Sequence, residues 1–273
     1  MEIKNMICIQ ERNLAKAWSE SIKALLKNGR LIKTQYDDLE SYDSPICITV
    51  TDPMSEPRIH KSIPAGITEL YTYVEEVLSG IHNHWISPEE GKWTYTYNER
   101  IFNYKISTGE FDQFNYMVDS LVKCPYTRRA QAIIWDPEKD TGDWDCPCLQ
   151  RIWARIVDNK LDMHVHMRSN DAWQAAFMNM FAFTLLQKKL VDTYNQRTVE
   201  SIKVGNYIHF VDSYHIYNGC FDQVEAYLER EDQTVDFNKL CMDTRDYQEH
   251  IDEAYEAIAR SIEQEKLTGR KGL

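Results

Sequence analysis

The chain has 273 residues, a formal net charge of −12 and 43% apolar residues. This length and composition suit a globular protein with a substantial core, so we expect a single domain over residues 1–273. The acidic balance argues against a nucleic-acid-binding protein, which needs a basic surface against the phosphates. The apolar runs are too short to cross a membrane, and the first residues lack the layout of a signal peptide. The seven scattered cysteines then favour reduced thiols in a cytoplasmic protein.

Helical and strand patterns alternate through the first half of the chain. The predicted helices span residues 11–28, 67–79 and 111–123, and the predicted strands span residues 46–51 and 130–135. Glu69 lies at the edge of the apolar stripe of the second helix. Two interpretations stay open for it: a partly buried carboxylate with a raised pKa, or a solvated glutamate in the first helical turn.

A pair of tyrosines and a pair of arginines lie between these predicted elements. Tyr95 and Tyr97 alternate within the aromatic stretch 91–100, as on a strand or on a loop at the rim of a site. Most such tyrosines pack their rings and leave the hydroxyl group in water. Arg128 and Arg129 directly precede the strand predicted over residues 130–135. They form either a solvated patch or an anion clamp, since paired guanidinium groups suit phosphate oxygens.

The centre of the chain concentrates reactive side chains at the ends of adjacent elements. Cys146-Pro147-Cys148 precedes a predicted hairpin, whose strands cover residues 151–157 and 161–167 and are joined by an Asp-Asn turn. Arg168, Ser169 and Asp171 follow the second strand. A long apolar helix over residues 171–191 then contains Asn179, whose amide needs a partner if it is buried. A thiol, a guanidinium group, a carboxylate and an amide in such places indicate a polar small-molecule site.

Cys148 itself has two interpretations. Free cysteines are among the most buried residues, so an inert core thiol is one. The other is a nucleophile, because a cation such as Arg168 lowers the pKa of a neighbouring thiol. A zinc site is disfavoured, since the C-x-C spacing of Cys146 and Cys148 has no matching pair nearby.

The last third of the chain continues the alternation. A strand is predicted over residues 204–211, and His215 and Tyr217, two residues apart, share one face of the backbone that follows it. Helices are predicted over residues 220–230 and 247–264.

Several of these motifs, in this order, resemble the thymidylate synthase family, which includes the pyrimidine-nucleotide hydroxymethylases. The motifs are Arg128-Arg129, Pro147-Cys148, Arg168-Ser169-Asn170-Asp171, Asn179 and His215-Ile216-Tyr217. The resemblance covers residues 126–230 well and the N-terminal part loosely. It implies an α/β (α+β) fold, a single domain with a large twisted mixed sheet covered by helices, and a homodimer.

The resemblance also implies a role for each residue. Cys148 would add to C6 of a pyrimidine nucleoside monophosphate, and C5 would then attack the one-carbon unit of 5,10-methylenetetrahydrofolate. Arg168 and Ser169 would bind the phosphate, together with Arg128 and Arg129 of the neighbouring subunit. Asn179 would bind the base, and His215 and Tyr217 would bind the ribose. Asp171 would bind the folate, Glu69 would hold the water used in proton transfer, and Tyr97 would help to exclude bulk water.

This chain departs from the family pattern at several positions. Leu149 stands where a histidine usually follows the nucleophile, and Phe177-Met178-Asn179 stands where Pro-Phe-Asn is usual. Gly80 comes one turn late relative to Glu69, and the chain ends in Lys-Gly-Leu instead of the apolar carboxyl terminus that closes over folate. A site that closes less tightly admits water to the intermediate.

These departures favour 5-hydroxymethylation of a CMP or dCMP type of substrate. The alternatives are a dUMP-methylating thymidylate synthase and a catalytically inactive nucleotide-binding protein of the same fold. Asn179 does not choose the base, because its amide can pair with uracil or, when flipped, with cytosine.

Overall fold

The computed structural model describes residues 6–36 and 39–270. Within these ranges the strands are β1 (Ile7–Glu11), β2 (Arg30–Lys33), β3 (Glu40–Val50), β4 (Ile59–His60), β5 (Tyr104–Ile106), β6 (Gly109–Phe111), β7 (Gln131–Ile133), β8 (Leu149–Val157), β9 (Lys160–Asp171), β10 (Lys203–Tyr217) and β11 (Cys241–Met242). The α-helices are α1 (Leu14–Asn28), α2 (Ile67–Leu78), α3 (Tyr97–Phe102), α4 (Gln113–Lys123), α5 (Ala176–Arg197), α6 (Phe221–Asp232) and α7 (Gln248–Thr268).

The main sheet is mixed. Its order is β1–β3–β10–β9–β8–β7, with β2 paired to β3, and two small two-stranded sheets accompany it. Strands β1 and β3 are parallel, as are β9 and β10, whereas the other neighbours in the main sheet are antiparallel. The prediction of a large mixed sheet covered by helices is confirmed. No helix in the described ranges has an apolar stretch long enough to span a membrane.

Strands β8, β9 and β10 decide where the functional groups meet. β9 and β10 are parallel neighbours joined by α5, and Asp171 lies opposite His215. Parallel strands end at the same edge of a sheet. β8 runs antiparallel to β9 and starts there, with Leu149 opposite Met167. The end of the loop that carries Cys148, the segment 168–171 and the segment 215–217 therefore lie at the same edge of the sheet.

Local sequence explains why the chain turns where it does. Asp158 and Asn159 both have positive φ, at 49° and 58°, as the two-residue turn between β8 and β9 requires. α1 begins after Asn13, whose side chain accepts a hydrogen bond from the Lys16 N–H at 2.9 Å. Gly205 lies where β10 bulges against β9, and a Cβ there would lie 2.9 Å from the Leu161 carbonyl oxygen.

Some predicted boundaries were wrong. β9 continues to Asp171, so the long helix begins only at Ala176, and β3 begins six residues before the predicted Ile46. α2 begins at Ile67, as predicted, with Gly66 as its N-cap. Tyr97 is the first residue of a short helix, capped by Thr96, and is not part of a strand.

A buried aromatic cluster fixes the helices on one face of the sheet. The fully buried Trp18 of α1 donates from Nε1 to the Ala172 carbonyl at 2.9 Å. Its ring stacks on that of Trp173, with centroids 5.6 Å apart, and meets Phe177 edge-on at 5.7 Å. The cluster holds α1 and the first turn of α5 against the end of β9.

The opposite face of the sheet carries partly exposed rings. Trp153 packs against His164 with centroids 4.8 Å apart, and His166 packs against Phe210 at 5.0 Å. These four residues alternate along their strands with buried ones. We call this patch (Trp153, His164, His166 and Phe210) the open face.

Candidate active site

A cavity of about 760 Å³ lies at the edge where β8, β9 and β10 meet. The predicted site residues that line it are Tyr97, Cys148, Arg168, Ser169, Asp171, Asn179, His215 and Tyr217. The structure thus brings together side chains from distant parts of the chain. Three predicted residues do not line this cavity: Glu69, Arg128 and Arg129.

Arg168 holds the loop that carries Cys148. Its Nε donates to the Pro147 carbonyl at 3.0 Å and its Nη2 to the Cys146 carbonyl at 2.7 Å. Its backbone N–H also donates to the Cys148 carbonyl at 2.9 Å. These bonds fix the thiol and the guanidinium group relative to each other. They leave Nη1 available for an anionic ligand.

Burial has a larger effect on the pKa of the Cys148 thiol than the neighbouring cation has. Desolvation raises its pKa, and the positive charge of Arg168 opposes the rise without cancelling it. Cys146 and Asp145 raise it further. Arg168 thus lowers the pKa of this thiol as expected, but the net shift is upward because desolvation is the larger effect.

We expect alkylation of Cys148 by iodoacetamide to be slow at neutral pH and to accelerate at a higher pH than for an ordinary thiol. Only the thiolate reacts, and a raised pKa moves its formation to higher pH. The measurement is the alkylation rate against pH by mass spectrometry, in a Cys146→Ser background that removes the neighbouring thiol. Arg168→Gln should move the midpoint higher still. A midpoint below that of free cysteine would contradict the assignment.

Tyr97 lies directly beside the loop that carries Cys148. Its hydroxyl oxygen accepts a hydrogen bond from the Leu149 N–H at 3.2 Å, and its ring lies 5.8 Å from that of Tyr95. Burial raises the pKa of both tyrosines, so they remain neutral phenols at physiological pH. Leu149, the residue after Cys148, is fully buried.

Asn179 is a buried amide whose partner comes from another helix. It lies in the first turn of α5, and its Oδ1 accepts a hydrogen bond from the hydroxyl group of Tyr73 on α2. Both residues line the cavity. Burial raises the pKa of Tyr73 well above its usual value, so the phenol stays a donor. The Nδ2 hydrogens of Asn179 are then left for a ligand.

Glu69 is not in the site, and Glu76 is. Glu69 is exposed in the first turn of α2, next to the helix N-terminus, where a carboxylate is favourable. Glu76 lies seven residues further along α2, about 10 Å at 1.5 Å per residue, and lines the cavity. The solvated interpretation of Glu69 therefore describes its position. A helical stripe defines a face of α2, but not which turn of that face meets the cavity.

The two strand ends supply acid, imidazole and phenol groups. Oδ1 of Asp171 accepts hydrogen bonds from the N–H groups of Trp173 and Gln174 at 2.9 and 2.8 Å, which leaves Oδ2 for a ligand. Burial raises the pKa of Asp171, and the neighbouring His215 opposes this. Nδ1 of His215 lies 3.1 Å from the Ser213 carbonyl, and its ring meets Tyr217 edge-on at 4.7 Å. Burial raises the pKa of Tyr217 to about 12.

The chain was also compared with known proteins. A family model described as "Thymidylate synthase" matches residues 66–261, well over half of the chain. The chain belongs to the thymidylate synthase family. A curated protein of Methanocaldococcus jannaschii named "Putative thymidylate synthase" is 27% identical over 229 residues, which are 82% of this chain and 96% of that protein. One of the same name from Methanosarcina barkeri is 24% identical over 219 residues, 80% of this chain and 92% of that protein.

The solved structures agree on the fold. Thermostable thymidylate synthase A from Bacillus subtilis matches with a TM-score of 0.62 at 18% sequence identity, over 80% of this chain and 84% of that one. The resemblance inferred from the ordered motifs is thereby confirmed. The chain has the thymidylate synthase fold, although most of its residues differ from that enzyme.

Arg128 and Arg129 lie at the surface beside the open face. Both are exposed, and Trp153 of the open face donates from Nε1 to the Arg128 carbonyl at 3.0 Å. Among the described residues, none forms a salt bridge with either guanidinium group. Arg128 and Arg129 therefore lie at the surface, outside the residues that line the cavity.

Several wall residues of the thymidylate synthase site escaped the sequence patterns. The rim includes Lys33 and Tyr36 from residues 32–36 and Trp144 from the segment before the thiol, with Tyr36 and Trp144 edge-on at 5.6 Å. Asp43, which accepts a hydrogen bond from Ser213, was missed because the start of β3 was placed too late. One signal was available for α2: Tyr73 and Glu76 are three residues apart and so share a helical face.

No group of three His, Cys, Asp or Glu side chains in the described ranges is arranged to hold a metal ion. All seven cysteines, each within those ranges, are free thiols. The last three residues, Lys-Gly-Leu, which were contrasted with the usual family terminus, lie outside the described residues.

Proposed function

We propose that the protein transfers a one-carbon unit from 5,10-methylenetetrahydrofolate to C5 of a pyrimidine nucleoside 5′-monophosphate, with 5-hydroxymethylation of a CMP or dCMP type of substrate as the favoured outcome. The observation that carries the proposal is the convergence of Cys148, Arg168 and Asn179 on one cavity. The thymidylate synthase family uses methylenetetrahydrofolate as co-substrate, which supports the choice of donor.

The nucleotide would be bound at both ends. Arg168 and Ser169 bind the phosphate. Nη1 of Arg168 is available for this because Nε and Nη2 already donate to backbone carbonyls. Asn179, held by Tyr73, presents Nδ2–H to the base, where O4 of uracil or N3 of cytosine accepts it. His215 and Tyr217, on the neighbouring strand end, take the ribose.

The covalent step belongs to Cys148. Its sulfur bonds to C6, and the electron pair of the C5–C6 double bond becomes available at C5, which takes the methylene carbon of the folate. Loss of the C5 proton and of tetrahydrofolate leaves an exocyclic methylene group. Water adds to that group as the thiolate leaves C6, which gives the 5-hydroxymethyl nucleotide. Because burial raises the pKa of the thiol, a general base must take the thiol proton as the sulfur bonds to C6.

Binding of the co-substrate and the proton transfers would use two of the carboxylates that line the cavity. Oδ1 of Asp171 accepts both hydrogen bonds from the backbone, so Oδ2 can accept hydrogen bonds from the N–H groups of a pterin ring. Glu76 replaces Glu69 in our proposal as the group that organises water for proton transfer, because it lines the cavity. Tyr97 and its neighbours keep bulk water from the thiol.

Methylation of dUMP is the second candidate function. The names of the methanogen relatives favour it. Leu149, which stands where a histidine usually follows the cysteine of the family motif, is one of the departures that favour hydroxymethylation.

Mass spectrometry of the nucleotide product separates the two functions. We expect CMP or dCMP to gain CH2O when incubated with the enzyme and methylenetetrahydrofolate, whereas UMP and dUMP remain unchanged. A gain of CH2 by dUMP, with dihydrofolate as the second product, would establish methylation instead. Incubation without folate is the control, and no nucleotide should then gain mass.

We also propose that two chains form a homodimer through the open face. Aromatic rings that remain partly exposed across several strands favour burial against a second copy. Arg128 and Arg129 lie beside this patch and have no salt-bridge partner among the described residues. They would then donate to the phosphate in the other chain's cavity.

A further inference from the structure

Glu265 is a carboxylate that the protein encloses at the end of a helix distant from the site in sequence. It lies near the end of α7 and is 1% exposed. An ionised carboxylate in such a place is costly unless donors surround it. Nε1–H of Trp85 donates to its Oε2 at 2.8 Å, and Nε2 of His84 lies 3.3 Å from the same oxygen. The turn over residues 82–85 therefore holds this carboxylate inside the protein.

His82 connects this carboxylate to a second one. Its ring is also 1% exposed, and its Nδ1 lies 2.6 Å from Oε1 of Glu76, while its Nε2 lies 3.5 Å from Oε2 of Glu265. The first distance is that of a hydrogen bond to a carboxylate, whereas at the second distance Nε2 of His82 faces Glu265 without a hydrogen bond. One imidazole ring thus lies between a carboxylate of α2 and a carboxylate of α7.

Of the three side chains Glu265, His82 and Glu76, it is Glu76 that lines the cavity. It lines the wall together with Tyr73, which donates to Asn179. Trp93, another wall residue, meets the His82 ring edge-on with centroids 5.7 Å apart. His82 therefore lies one layer behind the cavity wall and contacts two residues of that wall.

We propose that His82 is a positioning residue that holds Glu76 for proton transfer at the nucleotide, and that Glu265 holds His82 in turn; this rests on the function proposed above. The bond from Nδ1 occupies Oε1 of Glu76 and leaves Oε2 for a water molecule in the cavity. A carboxylate already held in one orientation does not have to be ordered in each turnover. α7 thus contributes to the reaction without lining the cavity.

This role differs in its effects from packing alone. A ring that only fills space would, when replaced, lower stability and disturb nucleotide binding and turnover together. A ring that orients Glu76 changes kcat, because Glu76 acts in proton transfer, and leaves KM for the nucleotide unchanged. The structure also provides a matched control, since the exposed His250 at the start of α7 pairs with Glu253 at the surface.

The test is tritium release from a C5-tritiated pyrimidine nucleotide by the full-length enzyme. His82→Gln should lower kcat about 10- to 100-fold with KM within about 2-fold of wild type, because its amide lies near Nε2 and loses the bond to Glu76. His82→Asn places an amide nitrogen near Nδ1, so its kcat should stay within about 3-fold of wild type. His250→Gln is the control and should release tritium at close to the wild-type rate.

Folding is checked by circular dichroism and thermal unfolding of every variant. If His82→Gln does not fold, Glu265→Gln takes its place, since it keeps the side-chain volume and removes the charge, and it should lower kcat with KM unchanged. A folded His82→Gln or Glu265→Gln that turns over like wild type overturns the inference. So does an equal loss in His250→Gln. A wild-type enzyme that binds the nucleotide but releases no tritium would instead refute the proposed function.

Discussion

Cys148→Ala should abolish exchange of tritium from C5 of the nucleotide, by roughly four orders of magnitude or more. The exchange requires a bond between sulfur and C6, because only then can C5 accept a proton from solvent and lose its tritium when the adduct reverses. The variant should still bind the nucleotide, since phosphate, base and ribose contacts come from other residues. Tritium release and calorimetric binding, measured on the same preparation, check both statements.

Cys146→Ala is the matched control for this experiment. Cys146 also lines the cavity and lies two residues from Cys148, yet its carbonyl, and not its thiol, contacts Arg168. The control variant should therefore exchange tritium at nearly the wild-type rate. Unchanged exchange in Cys148→Ala would show that another group is the nucleophile. Binding without exchange in the wild type would favour a nucleotide-binding protein that lacks catalysis.

Mixing two inactive variants should restore activity if Arg128 and Arg129 serve the other chain's site. In one variant both arginines are replaced by glutamine, and in the second Cys148 is replaced by alanine. A mixed dimer then has one complete site, which combines the thiol of the first chain with the arginines of the second. After full exchange of subunits at equal concentrations, about a quarter of the sites, and so about a quarter of the wild-type activity, should return.

The control for this experiment concerns another surface cation. Arg260→Gln alters an exposed arginine on α7 that pairs with Glu256, so it should leave activity unchanged without any mixing. Size-exclusion chromatography and light scattering give the oligomeric state of each variant. Arginines that serve their own chain's cavity would give no recovery on mixing. A wild-type monomer would remove the basis of the proposed dimer.

Local features of the sequence were sufficient for the order of the elements and most of the site. The Asp158-Asn159 turn predicts a tight hairpin, which the positive φ angles of both residues confirm. A hairpin, a long apolar helix and a further strand then suffice to bring Cys148, Asp171 and His215 to one edge. The physical reason is that strand direction follows from the connections: a two-residue turn requires antiparallel strands, whereas a helical crossover allows parallel ones.

Other features depended on packing between distant segments. Helical periodicity identified the faces of α2, but only the position of α2 against α5 placed Glu76 at the cavity and left Glu69 in solvent. Tyr73 was not recognised as the partner of Asn179, because the two residues are 106 positions apart. No local pattern connects such a pair.

The sequence by itself determined the family, through ordered short motifs, and the positions of the nucleophile and its guanidinium neighbour. Only the tertiary structure decided the electrostatic balance at Cys148, since a neighbouring charge can be read from the sequence but the extent of burial cannot. It also decided that Glu76 lies at the cavity and that His82 lies between Glu76 and Glu265 of α7. Motifs reflect local chemistry, whereas burial and long-range contacts exist only once the helices pack on the sheet.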